Sequence, residues 1–293
     1  MIFAAIDIGS NAIRLLIEES NVVSKDDFYF KKISLTRIPI RLGKDVFSKG
    51  HVTEKTKNKL IDAFKAFKLL MKINEVDFYR ACATSAMREA ENRYEICESI
   101  LQNTGIDLEI ISGKEEAKLI FSNFHLSSID VEKNYVFIDV GGGSTELSLI
   151  QNNVKTSSKS FRIGSVRYLS GNEAEKVKTQ MKFWLNDNYS KNEEISAIGT
   201  GGSINKLYNL SKHNFGEPMT YESLNEIIKY ISSFSYEDRI RVLKLKPDRA
   251  DVIVPSGEIY KMVMSSTGAN QIIVPKVGLS DGIIYNLFLQ KEL

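Results

Sequence analysis

The sequence predicts a mixed α/β chain of two related domains, and three observations predict it. The length, 293 residues, ordinarily divides into about two domains of ~100–200 residues each. One pattern occurs twice, as AAIDIGSNAIRLLIEE (Ala4–Glu19) and VFIDVGGGSTELSLIQ (Val136–Gln151): an apolar strand, Asp, one residue, glycine, small polar residues, then a second strand. A repeat of half the chain length is no solenoid period, so it fits two related domains facing each other, each offering a hairpin loop to a shared cleft. The second copy also carries three consecutive glycines, more than a chain reversal needs. Glycines let backbone N–H groups approach a ligand, and several in a row form a concavity that favours phosphate.

Taken in order, strands are expected at Ile2–Ile8, Ile13–Glu18 and Phe28–Leu35, where β-branched and aromatic residues dominate. Leucine, phenylalanine and isoleucine at helical spacing then predict a long helix over Thr53–Lys72. A strand at Phe78–Cys82, a helix at Asn92–Asn103 and a strand at Leu108–Ile111 follow. Ser112 with Glu115 three residues on reads as a capping box and starts a helix over Gly113–Asn123. The polar stretch Ser127–Lys133 suggests a domain boundary, giving a first domain over 1–125 and a second over 126–278. The second restarts with strands at Tyr135–Asp139, Leu147–Gln151 and Lys155–Ser160, then a helix at Glu173–Asn188 and a strand at Ile195–Gly199 that runs into a helix. Helices at Tyr221–Phe234, Ser235–Val242, Arg249–Ser266 and Leu279–Leu289 complete the pattern.

Composition excludes several classes. Hydrophobic content of 43% and charged content of 26% with 5 prolines describe a globular chain with little linker. No apolar run reaches the ~18 residues a bilayer span needs, and the start MIFAAIDIGSN lacks a basic segment, so a cytoplasmic protein without membrane partners is expected. The 39 basic residues are matched by 37 acidic ones with no basic block, which argues against nucleic acid. Cys82 and Cys97 fit neither a disulfide framework nor a zinc motif, and His51, His125 and His213 lie in no ligand-like spacing.

The candidate chemistry therefore sits in the glycine loops. In the first, Gly9 allows the turn, and Ser10 and Asn11 offer donors to an anion. In the second, Gly141, Gly142, Gly143, Ser144 and Thr145 can form the anion nest, and Glu146 adds a carboxylate. Asp7 and Asp139 hold matching places in the two copies, and two aspartates across a cleft suggest a divalent cation; magnesium favours oxygen ligands together with substrate phosphates. A lone Asp-x-Gly is more often a plain turn, and it is the pairing that speaks for a site. A third run, Gly199–Ser203, follows a strand and opens a helix, so Gly201, Gly202 and Ser203 could receive phosphate at the helix N-terminus. It lacks a P-loop lysine and fails the dinucleotide fingerprint.

Together, DIGSNAIRLL (Asp7–Leu16), ATSAMREA (Ala83–Ala90), SGKEEAKLIF (Ser112–Phe121), DVGGGSTEL (Asp139–Leu147), GSVR (Gly164–Arg167), GTGGS (Gly199–Ser203) and DRADVIVPSG (Asp248–Gly257) give a resemblance running nearly end to end. The chain resembles the exopolyphosphatase and guanosine pentaphosphate phosphohydrolase family (Ppx/GppA), in its short two-domain form. The resemblance implies two actin-like, ribonuclease H-like domains of the sugar kinase, actin and heat-shock chaperone superfamily, with an interdomain cleft and a final helix over 279–293 packed back on the first domain. It implies magnesium-dependent hydrolysis of terminal phosphoanhydride bonds in polyphosphate or guanosine pentaphosphate. Glu116 is the implied base and Glu146 the second acid; Asp7, Asp139 and Glu146 are implied for magnesium, and Arg14 and Arg88 for phosphate.

Ala12 stands where the family usually has Ser or Thr, Ser203 replaces a common Thr, and Ser256 stands where a smaller residue is usual. Two other readings stay open on sequence: a kinase or ATPase whose loops hold ATP, and a sensor that binds polyphosphate or alarmone without turnover. The retained Glu116 and Glu146 speak against the sensor. A homodimer is compatible with the sequence, which does not specify one.

Overall fold

In a computed structural model of the chain, residues 1–24, 27–122, 130, 133–151, 154–167, 171–189, 194–214 and 216–292 are described. His125 and most of the polar boundary stretch fall outside them. The chain divides into one unit of Met1–Leu126 with Val277–Leu293 and another of Ser127–Lys276.

The first unit opens with β1 (Ile2–Ile8), β2 (Ile13–Ser24) and β3 (Asp27–Ile38), continues through α1 (Leu42–Lys49), α2 (Glu54–Ile73), β4 (Phe78–Ala83), α3 (Ser85–Glu89), α4 (Arg93–Thr104) and β5 (Glu109–Ile110), and reaches α5 (Gly113–Ser122). Its sheet runs β3-β2-β1-β4-β5, antiparallel from β1 to β3 and parallel from β1 through β5. β1 sits in the middle, and its near-continuous apolar run is what a strand covered on both faces requires. On α2 the Thr53 hydroxyl caps the N-terminus by accepting from Thr56 N–H, and Leu60, Phe64, Phe67 and Met71 form the buried stripe at helical spacing. Each such side chain contributes about 1.5–3 kcal/mol by leaving water.

The second unit begins with β6 (Asn134–Val140), β7 (Thr145–Gln151) and β8 (Val154–Phe161). It continues with α6 (Gly171–Asn188), β9 (Ile195–Thr200), α7 (Gly202–Leu210), β10 (Met219–Thr220), α8 (Tyr221–Ser232), α9 (Tyr236–Arg241), α10 (Pro247–Ala250), α11 (Ile253–Thr267) and β11 (Gln271–Ile273). Its sheet order is β10-β11-β9-β6-β7-β8. Apart from the added β10, this is the first sheet's order with β6 in the place of β1, so the sequence repeat is a repeat of architecture. The last helix, α12 (Leu279–Glu292), packs on α5, β1, β2 and β4 of the first unit, where Phe288 meets the rings of Phe3, Phe28 and Phe30.

Several elements depart from expectation. The helix expected over Arg249–Ser266 is two helices, broken at Asp251–Val252. Pro255 explains the break: its ring would strike the carbonyl of Asp251 four residues earlier, so it is accommodated only in the first turn of a new helix. The capping box is half made. Ser112 Oγ accepts from Glu115 N–H at 3.1 Å, but the Glu115 carboxylate takes Arg80 at 2.7 Å and not the Ser112 N–H. Helices α1 and α3 and strands β10 and β11 were not expected; α1 starts from Arg41 in left-handed backbone, and neither helix has a side-chain cap. Among the described residues, no helix is long and apolar enough to cross a membrane.

Candidate functional site

The two repeated hairpins are built alike. Gly9 N–H donates to the Ala12 carbonyl at 3.1 Å, and Gly141 N–H donates to the Ser144 carbonyl at 3.0 Å. Behind each loop a second segment ties down the carbonyls. The carbonyls of Ser10 and Asn11 accept from Gly43 and Arg41 N–H at 2.8 and 3.1 Å. Those of Gly141 and Gly142 accept from the N–H groups of Ser165, Val166 and Arg167 at 2.8–3.0 Å. Gly164 makes the second brace possible, because a Cβ there would lie 2.7 Å from the Gly142 carbonyl. With carbonyls drawn back, a loop is left to present donors. No hydrogen bond to Gly142 or Gly143 N–H is found among the described residues, and the buried Ser10 Oγ likewise has no partner among them.

At the stems of the hairpins the copies differ. Asp7 lies directly opposite Arg14, whose Nη1 donates to Asp7 Oδ2 at 2.5 Å. Asp139 lies directly opposite Glu146. Each of these two offers a carboxylate oxygen within 4.8 Å of the other, and both are buried. Glu146 Oε1 accepts from the hydroxyls of Ser144 at 2.6 Å and Ser160 at 2.9 Å, and Asp139 Oδ1 accepts from Thr200 Oγ1 at 2.8 Å. Two buried carboxylates with their hydroxyl partners make an all-oxygen donor set, which suits a hard divalent cation and not a soft one.

The third glycine run begins where β6 and β9 part. Their parallel pairing ends at Asp139 and Thr200. Gly201 then turns with φ +109° and leads into α7. A side chain there would lie 3.2 Å from the Val140 carbonyl and 3.3 Å from Asp139 Oδ1, so the residue has neither the backbone freedom nor the room for a Cβ. Arg249 Nη1 donates to the Gly202 carbonyl at 2.5 Å, and Ser256 Oγ donates to Ser203 Oγ at 3.0 Å. Tyr260, fully buried on α11, accepts from Val140 N–H at 3.2 Å and donates to the Thr200 carbonyl. Burial, with the nearby charges of Asp139 and Glu146, pushes this phenol well above its ordinary value, so it stays protonated and can do both.

In the first unit Glu116 is buried on the opening turn of α5, and Arg88 Nη1 bonds its Oε2 at 2.8 Å and the Ile111 carbonyl at 2.9 Å. Arg80 clasps Glu109 and Glu115, both at 2.7 Å through Nη2, which anchors the same turn to β4 and β5. Glu115 is thus directed into a surface ion-pair network and Glu116 onto Arg88.

Arg88 and Glu116 therefore come together, as do Asp7 and Arg14, and Asp139 and Glu146, while Gly201, Gly202 and Ser203 start α7 beside Asp139. Sequence reasoning missed the brace at Arg41–Gly43 and the contacts of Ser160, Thr200, Arg249 and Tyr260. Ser160 was open to discovery, since it is the cross-strand neighbour of Glu146. Thr200 and Arg249 lie inside the GTGGS and DRADVIVPSG motifs, but their contacts, like those of Tyr260 and Arg41–Gly43, are with partners distant in sequence.

A family model described as the Ppx/GppA phosphatase family matches residues 21–291. The chain belongs to the Ppx/GppA phosphatase family. Among Ppx/GppA relatives, it is 23% identical to exopolyphosphatase 1 of Mycobacterium tuberculosis, over 97% of this chain and 87% of that protein. It is 23% identical to the guanosine-5'-triphosphate,3'-diphosphate pyrophosphatase of Aeromonas hydrophila, over 98% of this chain and 59% of that one. A bifunctional 3-dehydroquinate synthase/phosphatase of Fusobacterium nucleatum is 27% identical over 92% of this chain, which spans only 44% of that protein. In fold, the chain is similar to an exopolyphosphatase from Cytophaga hutchinsonii, with a TM-score of 0.83 at 22% identity over 99% of this chain and 98% of that one. The Aquifex aeolicus Ppx/GppA family member gives 0.77 at 24% identity over 100% and 99%. The two units thus share the α/β fold of these Ppx/GppA structures.

Proposed function

We propose that the protein is a magnesium-dependent phosphoanhydride hydrolase that removes terminal phosphate from inorganic polyphosphate or guanosine pentaphosphate. The observation that carries this reading is the Asp139–Glu146 pair, buried at the stem of a glycine loop whose carbonyls are tied back. An anion nest beside a paired carboxylate site suits a substrate made of phosphate and a cation to go with it. Relatives named for exopolyphosphatase and guanosine pentaphosphate pyrophosphatase activity support it.

In this reading Glu116 accepts a proton from water, and the oxygen attacks the terminal phosphorus as the bond to the bridging oxygen breaks. Arg88, already hydrogen-bonded to Glu116, holds that carboxylate in place and faces a phosphate oxygen. The N–H groups of Gly142 and Gly143, the Ser10 hydroxyl and the start of α7 at Gly201–Ser203 receive the other phosphate oxygens; loss of one such donor typically costs ~10²–10³ in rate. Asp139 and Glu146 would hold magnesium, which when bound supplies positive charge where oxygen charge develops. Asp7 is assigned to Arg14: its carboxylate fixes the guanidinium beside the first loop. The reading places the enzyme in the cytoplasm.

The test is phosphate release by the purified protein with magnesium and, separately, long polyphosphate, short polyphosphate, guanosine pentaphosphate and ATP. Release from either of the first two classes or from guanosine pentaphosphate, with ATP poor, is expected. Tight binding without release from any of them would make the protein a sensor.

A further inference from the structure

We infer that Tyr260 is a positioning residue whose single hydroxyl fixes the stems of two glycine loops and, through Thr200, the metal-binding carboxylate Asp139. This rests on the hydrolase reading for its link to turnover, but its metal-binding arm can be tested without turnover.

The argument starts where the central ladder of the second unit stops. β6 and β9 are hydrogen-bonded neighbours as far as Asp139 and Thr200. One residue later the strands diverge, β6 into the loop at Gly141 and β9 into the turn at Gly201. Parting strands leave an N–H on one side and a C=O on the other without their ladder partners, and buried backbone groups must be satisfied. The Tyr260 hydroxyl lies in this fork, accepting from Val140 N–H at 3.2 Å and donating to the Thr200 carbonyl. One oxygen thus joins the two stems.

The same hydroxyl is coupled to the carboxylate. Thr200, whose carbonyl Tyr260 holds, donates its own Oγ1 to Asp139 Oδ1 at 2.8 Å. Gly201 fills the remaining space, since a Cβ on it would stand 3.3 Å from Asp139 Oδ1 and 3.4 Å from the Tyr260 oxygen. Hydroxyl, threonine, aspartate and glycine are therefore in one packed contact set. Tyr260 has no exposed surface and α11 carries it from far along the chain, so it touches no substrate; its effect has to pass through the loops and Asp139.

A purely structural tyrosine makes a different prediction, which allows a clean comparison. Tyr208, near the C-terminal end of α7, is also buried in the second unit and donates its hydroxyl to the carbonyls of Asn214 and Glu217 beyond that helix. Tyr260→Phe and Tyr208→Phe each delete one buried hydroxyl. Magnesium alone is titrated into wild type and both variants by calorimetry, melting temperatures are recorded, and phosphate release is measured at saturating substrate across magnesium concentrations. For Tyr260→Phe, a rise of about 10-fold in the magnesium dissociation constant and a fall of about 10-fold in kcat at saturating magnesium are expected, with KM within about 3-fold of wild type. Tyr208→Phe should lower the melting temperature without either change. If Tyr260→Phe lowers only the melting temperature, with magnesium affinity and kcat as in wild type, the inference is overturned. Should Tyr260→Phe not fold, Thr200→Val breaks the next link: the same magnesium shift, absent in Thr200→Ser, supports the coupling, and unchanged affinity in Thr200→Val overturns it. A wild type that binds magnesium but releases no phosphate from any substrate would sink the hydrolase reading while leaving the calorimetric comparison intact.

Discussion

Asp139 and Glu146 face each other across the β6–β7 ladder, each offering an oxygen within 4.8 Å of the other. In the first hairpin the same two places hold Asp7 and Arg14, an acid and its own cation. Two ionised carboxylates at such a separation repel by on the order of 3 kcal/mol at an effective dielectric constant of about 20. The duplicated hairpins therefore differ at their stems, the first pairing an acid with a cation and the second pairing two acids.

Removal of divalent cation is expected to abolish phosphate release. Asp139→Asn should raise the half-saturating magnesium concentration at least ~10-fold, in the range that loss of a metal-site partner brings. Asp7→Asn should leave it nearly unchanged and lower the melting temperature, because Arg14 loses its partner. Full activity in excess chelator, or a larger magnesium shift for Asp7→Asn than for Asp139→Asn, would reverse the assignment.

Glu116→Gln is expected to keep the fold and polyphosphate binding while phosphate release at saturating substrate falls by ~10²-fold or more, the range for a positioned general base. Glutamine retains the reach to Arg88 but cannot take a proton from water. Glu115→Gln is the comparison: it loses part of a surface network with Arg80, worth ~0.2–1 kcal/mol, and should keep most activity. A dead Glu115→Gln beside an active Glu116→Gln would move the base to the other residue.

Stability should fall between about pH 4.5 and 7, through Glu18. Burial, reinforced by Asp281 and opposed by Lys32, pushes its carboxyl up to about 7 in the folded protein. Lys32 Nζ lies 3.9 Å from Glu18 Oε1 and 3.7 Å from Asp281 Oδ1. In that window the folded state holds a proton that the unfolded chain has released, so rising pH favours unfolding. Burial raises Asp281 in the same sense. Glu18→Gln should therefore melt higher than wild type at pH 8 and at about the same temperature near pH 4. Equal melting curves at both pH values would contradict this account.

Phe288→Ala is expected to destabilise the first unit by about 3–5 kcal/mol, the usual cost of deleting a buried aromatic ring. Its ring is packed 4.7 Å from that of Phe28 and 5.3 Å from that of Phe30. Denaturant unfolding monitored separately for the two units should show the loss confined to one transition.

Much of this architecture is legible in the sequence because it is local. The apolar run of Ile2–Ile8, the stripe of Leu60, Phe64, Phe67 and Met71, and the paired Asp-x-Gly loops each announce themselves within a few residues. What stayed hidden depends on partners far apart or on the absence of a signal. Helix α1 has no side-chain cap to mark its start, and β10 and β11 are too short to show a period. The site divides the same way. Asp139 and Glu146 could be named from one motif, whereas the oxygen that joins Val140 to Thr200 belongs to Tyr260, on a helix over fifty residues later.

Because α12 completes the core of the first unit, the order of synthesis and the order of folding differ. The segment that follows Leu126 holds every strand of its own sheet by Lys276, so its folding does not depend on the last helix. The older, N-terminal segment has β1, β2 and β4 ready long before but stays open along the face that Leu279–Glu292 covers. An exposed apolar sheet face is a risk for aggregation during that interval. A chain truncated before Val277 should therefore fold its middle and leave its beginning insoluble.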